Sequence, residues 1–110
     1  TARIDLKHLD KYVAGDKALR DEILTIFEEQ TDLWIRMLDP HGDDAAWKDA
    51  AHALKGAARG VGAWDIGEIC ANAENLVGDS RDLTARLDIV NELKATVAET
   101  IDEVRRLRAL

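Results

Sequence analysis

The sequence predicts an all-α protein, an antiparallel four-helix bundle with a short additional N-terminal helix. Apolar residues recur at spacings of three and four over several long segments, which is the pattern of an amphipathic helix. Short turns containing Gly, Pro or Asp separate these segments. Four long amphipathic segments joined by short turns favour an antiparallel bundle, and we expect the N-terminal helix to pack across one end of it.

The first two helices meet at a Gly-Asp pair. The short helix is expected over Asp5 to Ala14, where Gly15 ends it and Asp16 can cap the next one. Its apolar side carries Leu6, Leu9 and Val13. The second helix is expected over about Lys17 to Leu38. Its predicted inner stripe contains Leu19, Ile23, Ile26, Phe27, Leu33, Trp34 and Met37.

Three residues of the second helix complicate that stripe. Gln30 lies on it and needs a hydrogen-bond partner if it is buried. Leu24 and Ile35 lie off it, and their apolar side chains could pack against the N-terminal helix or against a partner protein. The sequence leaves these two alternatives open.

The third helix follows the break at residues 40–42 and starts at Asp43 or Asp44. Its predicted inner face is Trp47, Ala50, Ala51, Leu54, Ala58 and Val61. The fourth helix starts near Trp64, with an inner face of Ile66, Ile69, Cys70, Ala73, Leu76 and Val77. A turn at residues 78–80 leads to the last helix, Asp82 to about Arg108. The inward residues of that helix are Leu83, Leu87, Val90, Val97, Ile101 and Val104, with Lys94 snorkelling outward.

The composition argues against several classes of function. The 110 residues fit a single domain over residues 1–110, and 22 acidic against 15 basic residues give a net charge of −7. A nucleic acid would be repelled, so nucleic-acid binding is not expected. No apolar run is long enough to span a membrane. Cys70 is the only cysteine, which excludes a disulfide framework and a cysteine zinc site and fits a reducing, cytoplasmic location.

His52 is the residue that a purely structural helix does not explain. On the wheel of the third helix it lies about 140° from Trp47, away from the apolar stripe. Lys48, Lys55 and Arg59 surround it in a chain that is otherwise acidic. Gly56 follows one turn later, although glycine within a helix costs about 1 kcal/mol relative to alanine. Both features make sense if an anion and a partner surface must reach the imidazole.

The residue types at this position suit phosphoryl transfer. A neutral imidazole is a competent nucleophile near neutral pH, and its attack on a phosphoryl group gives a phosphoramidate that remains a good donor. Lys55, three residues on, can offer its ammonium to the phosphoryl oxygens. His8 and His41 are expected to be ordinary solvated residues, and the spacing of the three histidines predicts no metal site.

The segment from His52 to Gly62 resembles the signature of histidine phosphotransfer (HPt) domains. In that signature Lys-Gly begins three residues after the histidine, two small residues follow directly, and a further glycine comes four residues after them. The matching positions are His52, Lys55, Gly56, Ala57, Ala58 and Gly62. The stretch Leu9 to Phe27 and the stretch Ile69 to Leu76 are also similar to that family. Ala57 and Ala58 stand where many members have serine, so a hydroxyl contact to phosphate is missing here.

The resemblance implies a role for each matching residue. His52 would be phosphorylated, Lys55 would contact the phosphoryl group, and Gly56 would keep the approach clear. Glu74, where members often hold Gln or Glu, would accept a hydrogen bond from one imidazole nitrogen. Gly62 would let the third and fourth helices meet closely. We expect the partner-binding residues to be Lys48, Arg59 and Gly62.

The resemblance also implies partners. They would be receiver domains of hybrid histidine kinases and response regulators, each bringing its own Mg²⁺, and no cofactor is expected on this chain. No ATP-binding motif is present, so a phosphocarrier is expected and not an enzyme. Two alternatives stay open: a phosphoryl-accepting domain of a chemotaxis-type kinase, and a helical interaction module without phosphorylation. A sealed bundle needs no second copy, so a monomer is expected.

Overall fold

The computed structural model describes residues 2–110 and confirms the helical bundle. The helices are α1 Leu6–Val13, α2 Lys17–Met37, α3 Asp44–Gly60, α4 Trp64–Glu74 and α5 Leu83–Ala109, with a 3-10 turn at Gly78–Ser80. Helix α3 packs against α2 and α4, and α5 closes the ring against α4 and α2. The bundle measures 46 × 21 × 21 Å, and no strand occurs within residues 2–110.

Aspartate side chains start four of the five helices. Asp5, Asp16, Asp43 and Asp82 each accept the backbone N–H of the residue three positions on, at 2.7 to 3.2 Å. A cap of this kind stabilises a helix by about 1 kcal/mol. These aspartates place the helix starts where the sequence predicts them. Helix α4 starts after Ala63, which has no side-chain oxygen to serve as a cap.

The inner face of α3 is confirmed in full. All six predicted residues are buried: Trp47, Ala50, Ala51, Leu54, Ala58 and Val61. Because four of these six are alanine or valine, α2 and α4 can approach α3 closely. This face fixes the rotation of α3 and therefore the direction in which His52 points.

The predicted inner stripe of α2 is wrong in most of its members. Leu24 is fully buried and Ile35 packs against the core, so these off-stripe residues are core residues. The buried face of α2 is therefore rotated by roughly a quarter turn from the prediction. Four predicted core residues are instead 39 to 52% exposed and form what we call the outer stripe of α2: Leu19, Ile26, Leu33 and Met37. Gln30 is exposed too and needs no buried partner.

Helix α5 shows a smaller difference of the same kind. Leu83 and Leu87 are more than two fifths exposed, whereas Arg86 is fully buried. The guanidinium of Arg86 donates to the carbonyl oxygens of Leu76, Pro40 and Gly42 and to the Asp44 carboxylate, at 2.8 to 3.1 Å. A buried guanidinium is stable only when its donors are paired in this way, and meeting these acceptors turns the two leucines outward.

The N-terminal segment before α1 contacts the ends of α3 and α4, and α1 itself packs against α2. The backbone N–H of Asp5 donates to the carbonyl of Gly62 at 3.0 Å, and Trp64 donates its indole N–H to the Asp5 carboxylate at 3.0 Å. The bond from Trp64 holds the pKa of Asp5 below its usual range. Gly62 has φ +76°, and a Cβ there would lie 2.8 Å from the Cβ of Asp5. The absence of a Cβ at Gly62 therefore makes room for the N-terminal segment. The resemblance implied a different role for this glycine, a close approach of α3 and α4.

Candidate functional site

His52 projects into solvent from the middle of α3. Its side chain is 73% exposed, while Ala51 and Leu54 on either side are fully buried. The periodicity of the inner face therefore leaves the imidazole on the outside of the bundle, as predicted. A partner can reach the ring without any rearrangement of the helices.

One oxygen of Glu74 contacts both His52 and Lys55. Glu74 Oε1 lies 2.8 Å from Lys55 Nζ and 3.3 Å from His52 Nδ1. The Lys55 and Glu74 side chains are only 17% and 15% exposed, so α3 and α4 cover most of this ion pair. The three residues that the sequence placed at the reacting centre are therefore brought together.

The charge state of Glu74 determines which imidazole nitrogen is free. Burial raises the pKa of Glu74, but the bond and charge of Lys55, and then those of His52, lower it to a net value below the usual range. Glu74 is thus a carboxylate at neutral pH and can only accept a hydrogen bond. In the neutral form of the ring, His52 Nδ1 then carries the proton that faces Glu74, and Nε2 keeps its lone pair.

Gly56 keeps the surface beside His52 open. A Cβ built at Gly56 would have no atom of residues 2–110 within 4 Å outside its own helix backbone. Packing therefore does not require glycine here, although glycine lowers the stability of the helix. Gly60, one turn later, is equally open, and Ala53 is half-buried. We call these three residues the small-residue strip of α3.

The expected partner-binding residues lie in different surroundings. Lys48 and Arg59 are exposed on the same side of α3 as Lys55. Arg59 lies over Gly67 of α4, since a Cβ at Gly67 would come 3.2 Å from Arg59 Cγ. Gly62 is buried, so it cannot touch a partner. Sequence reasoning missed Gly67, although a glycine in the middle of a predicted helix was the available signal.

The other two histidines lie away from this site. His41 is exposed in the turn before α3, as expected. His8, expected to be solvated, is half-buried with its ring edge-on to Tyr12 and Trp64, at centroid distances of 5.2 and 4.7 Å. Within residues 2–110 no helix combines the length and the apolar character that crossing a membrane requires.

Two comparisons with known proteins identify the family of the chain. The family model of the Hpt domain matches residues 17–107. The crystal structure of the histidine phosphotransferase ShpA from Caulobacter crescentus is similar over 96% of this chain and 97% of that chain, with 38% identity and a TM-score of 0.63. No curated protein matches the sequence.

The family match covers most of the chain and includes His52, Lys55, Gly56 and Glu74. The solved structure extends the similarity over nearly the whole bundle. This chain therefore belongs to the Hpt domain family, the histidine phosphotransfer proteins of two-component signalling.

Proposed function

We propose that His52 is the phosphorylated residue and that it carries a phosphoryl group from the aspartate of one receiver domain to that of another. The observation that carries this proposal is the exposed imidazole whose Nδ1 faces an ionised Glu74. That contact leaves Nε2 free to act as the nucleophile.

The transfer step needs no general base. The Nε2 lone pair of His52 attacks phosphorus, the bond from phosphorus to the aspartate oxygen breaks, and the aspartate leaves as a carboxylate. The imidazole keeps its Nδ1 proton and becomes positively charged, and the Glu74 carboxylate stabilises that charge. The second receiver reverses the step when its aspartate oxygen attacks phosphorus and the neutral imidazole leaves.

Lys55 changes partner during this step in our proposal. In the unphosphorylated protein its ammonium neutralises Glu74 at 2.8 Å. Once His52 becomes positively charged, the imidazolium can neutralise Glu74 instead. Lys55 is then free to turn towards the phosphoryl oxygens, where charge neutralisation supplies most of the stabilisation.

The receiver is proposed to cover the small-residue strip of α3 and the outer stripe of α2. On the wheel of α3 the small-residue strip lies on the other side of His52 from Lys55, which bonds to α4, so we infer that it lies on the side of α2. The residues of α2 that line its groove with α5 lie across that helix from the outer stripe, so we infer that the outer stripe lies on the side of α3. Small residues next to exposed apolar ones suit an apolar helix of the receiver. Lys48 and Arg59 would meet its acidic site.

These steps describe a phosphocarrier rather than a kinase. The phosphoryl group arrives on a receiver, and the receiver supplies the Mg²⁺ that transfer from an aspartate requires. We further propose that residues 1–110 act as a single domain and as a monomer. A cytoplasmic location is also proposed, and the free, buried thiol of Cys70 supports it.

The proposal is tested by incubating the protein with a radiolabelled phosphoreceiver. Wild-type protein should gain label that is acid-labile and base-stable, as expected for phosphohistidine. His52→Gln should gain none, while His8→Gln should be labelled like wild type. Equal labelling of wild type and His52→Gln would overturn the proposal and leave a helical interaction module as the better description.

A further inference from the structure

The position of Glu74 depends on how the last turn of α4 is held. Glu74 is the final residue of α4, and its contact with His52 Nδ1 is 3.3 Å, near the upper limit for a hydrogen bond. A helix end is the part of a helix most free to fray. A displacement of a few tenths of an ångström here would break the contact with His52.

Two buried side chains from other helices hold this turn by its backbone. Trp47 Nε1 donates to the carbonyl of Ala73, the residue before Glu74, at 2.7 Å. Arg86 donates through Nε and Nη2 to the carbonyl of Leu76, just beyond the helix end, at 3.0 and 2.8 Å. Both side chains are fully buried, so water does not compete for these carbonyls.

We infer that Trp47 is a positioning residue for phosphotransfer, whose indole N–H fixes Glu74 in register with His52 and Lys55. This inference rests on the proposed function, because it assigns a role in the same reaction. Trp47 lies on α3 five residues before His52, and Ala73 adjoins Glu74 on α4. This hydrogen bond therefore ties the helix of the nucleophile to the backbone beside Glu74, in addition to the contacts that His52 and Lys55 make with the Glu74 side chain.

Arg86 supports this link by fixing the indole ring. Its guanidinium carbon lies 4.6 Å from the centroid of the Trp47 ring, within the range of a cation–π contact. The guanidinium is itself held by Pro40, Gly42 and Asp44, so it cannot follow a moving ring. The indole therefore has one orientation, and its N–H points at Ala73.

The test removes the indole N–H with two alternative replacements. Trp47→Phe removes the donor. Site-specific incorporation of 3-benzothienylalanine at position 47 replaces the N–H by sulfur in a ring of nearly the same shape. This variant takes the place of Trp47→Phe if the latter fails to fold. Two readouts are taken: the rate of transfer from a labelled phosphoreceiver, and the fraction of Nδ1–H tautomer of His52 from ring ¹⁵N chemical shifts. Val104→Ala, fully buried near the opposite end of α5, is the matched control for a general loss of stability.

We expect the position-47 replacements to slow transfer by about tenfold, the size of effect seen when an orienting partner is lost. The Nδ1–H fraction should fall towards that of Glu74→Ala, while Val104→Ala changes neither readout. In a Glu74→Ala background the replacements should have no further effect, because there is no side-chain oxygen left to position. Transfer rates and tautomer fractions equal to those of Val104→Ala, in a wild type that is labelled normally, would overturn this inference alone. A wild type that gains no label would overturn the proposed function instead.

Discussion

The Lys55 ammonium is paired with Glu74 at 2.8 Å, on the same carboxylate oxygen that faces the His52 ring. Each cation can therefore replace the other at this oxygen. In our proposal, that exchange accounts for why Lys55, the lysine expected to bind the phosphoryl group, is more than four-fifths covered in the unphosphorylated protein.

Lys55→Ala should slow phosphoryl transfer by about tenfold without abolishing it, since His52 keeps its nucleophilic nitrogen but loses a neutralising charge. Single-turnover transfer from a labelled receiver measures the effect. Lys94→Ala is the control, because Lys94 is exposed on α5 and has no part in the proposed site. A Lys55→Ala variant that transfers at full speed would remove Lys55 from the site.

Glu74 should make stability depend on pH. Its pKa is lower in the folded protein than in the unfolded chain, so its contribution to stability is present above the unfolded value, about pH 4.3, and is lost as the pH falls through the folded pKa. Urea unfolding from neutral to acidic pH measures this dependence. Glu74→Gln should flatten the curve below about pH 4.3 relative to wild type, and unchanged curvature would contradict the assignment.

Substitutions at Gly56 should separate stability from function. Gly56→Ala should raise the free energy of unfolding by up to about 1 kcal/mol, because the new Cβ meets no atom of the described residues within 4 Å outside its own helix backbone. Gly56→Gln should fold equally well yet block transfer, because its side chain would occupy the open face beside His52. Denaturant melts and transfer assays on both variants test this. Unchanged transfer by Gly56→Gln would refute the steric role of the glycine.

Gly62→Ala should destabilise the protein by about 2 kcal/mol or more, from a positive φ combined with a clash. The new Cβ would lie 2.8 Å from Asp5 Cβ. Gly15→Ala is the matched control, since Gly15 has φ +78° but a Cβ there approaches no atom of the described chain within 4 Å. The difference between the two denaturation midpoints isolates the Asp5 contact, and equal midpoints would argue against it.

The outer stripe of α2 should matter for receiver binding and not for folding. Leu33→Ser should leave the free energy of unfolding within about 0.5 kcal/mol of wild type, as for surface positions generally, and should weaken receiver binding. Leu24→Ser should unfold much of the protein, because Leu24 is fully buried. Titration with a receiver measures the first effect. Wild-type affinity in Leu33→Ser would exclude this stripe from the interface.

How far the sequence predicts the structure depends on how many faces of a helix are apolar. Helix α3 has one apolar face, so the wheel fixes its rotation and places His52 outside. Helix α2 has a buried face that includes Leu24 and an outer stripe that includes Leu33. When a helix has two apolar faces, its own sequence does not show which of them meets the neighbours, since that choice depends on packing across the whole bundle.

The sequence and the family resemblance indicate the residues of the candidate site, but only one of the contacts among them, that of His52 with Glu74. The charges and glycine around His52 indicate a reactive surface, and the family resemblance adds Glu74. The shared oxygen between Lys55 and Glu74 and the indole bond from Trp47 to Ala73 depend on the distance between α3 and α4. That distance is set by the small residues of both helices together, which no pattern along one segment encodes.

The buried Arg86 has a consequence for how the chain tolerates changes in length. Its guanidinium restricts the length of the connection between α2 and α3, because Nη1 of Arg86 donates to the carbonyls of both Pro40 and Gly42 at 3.1 Å. Inserting or deleting a residue there would leave the buried guanidinium of Arg86 without some of its hydrogen-bond acceptors. Relatives that have this arginine should therefore have a connection of the same length between α2 and α3, even where their other loops differ in length.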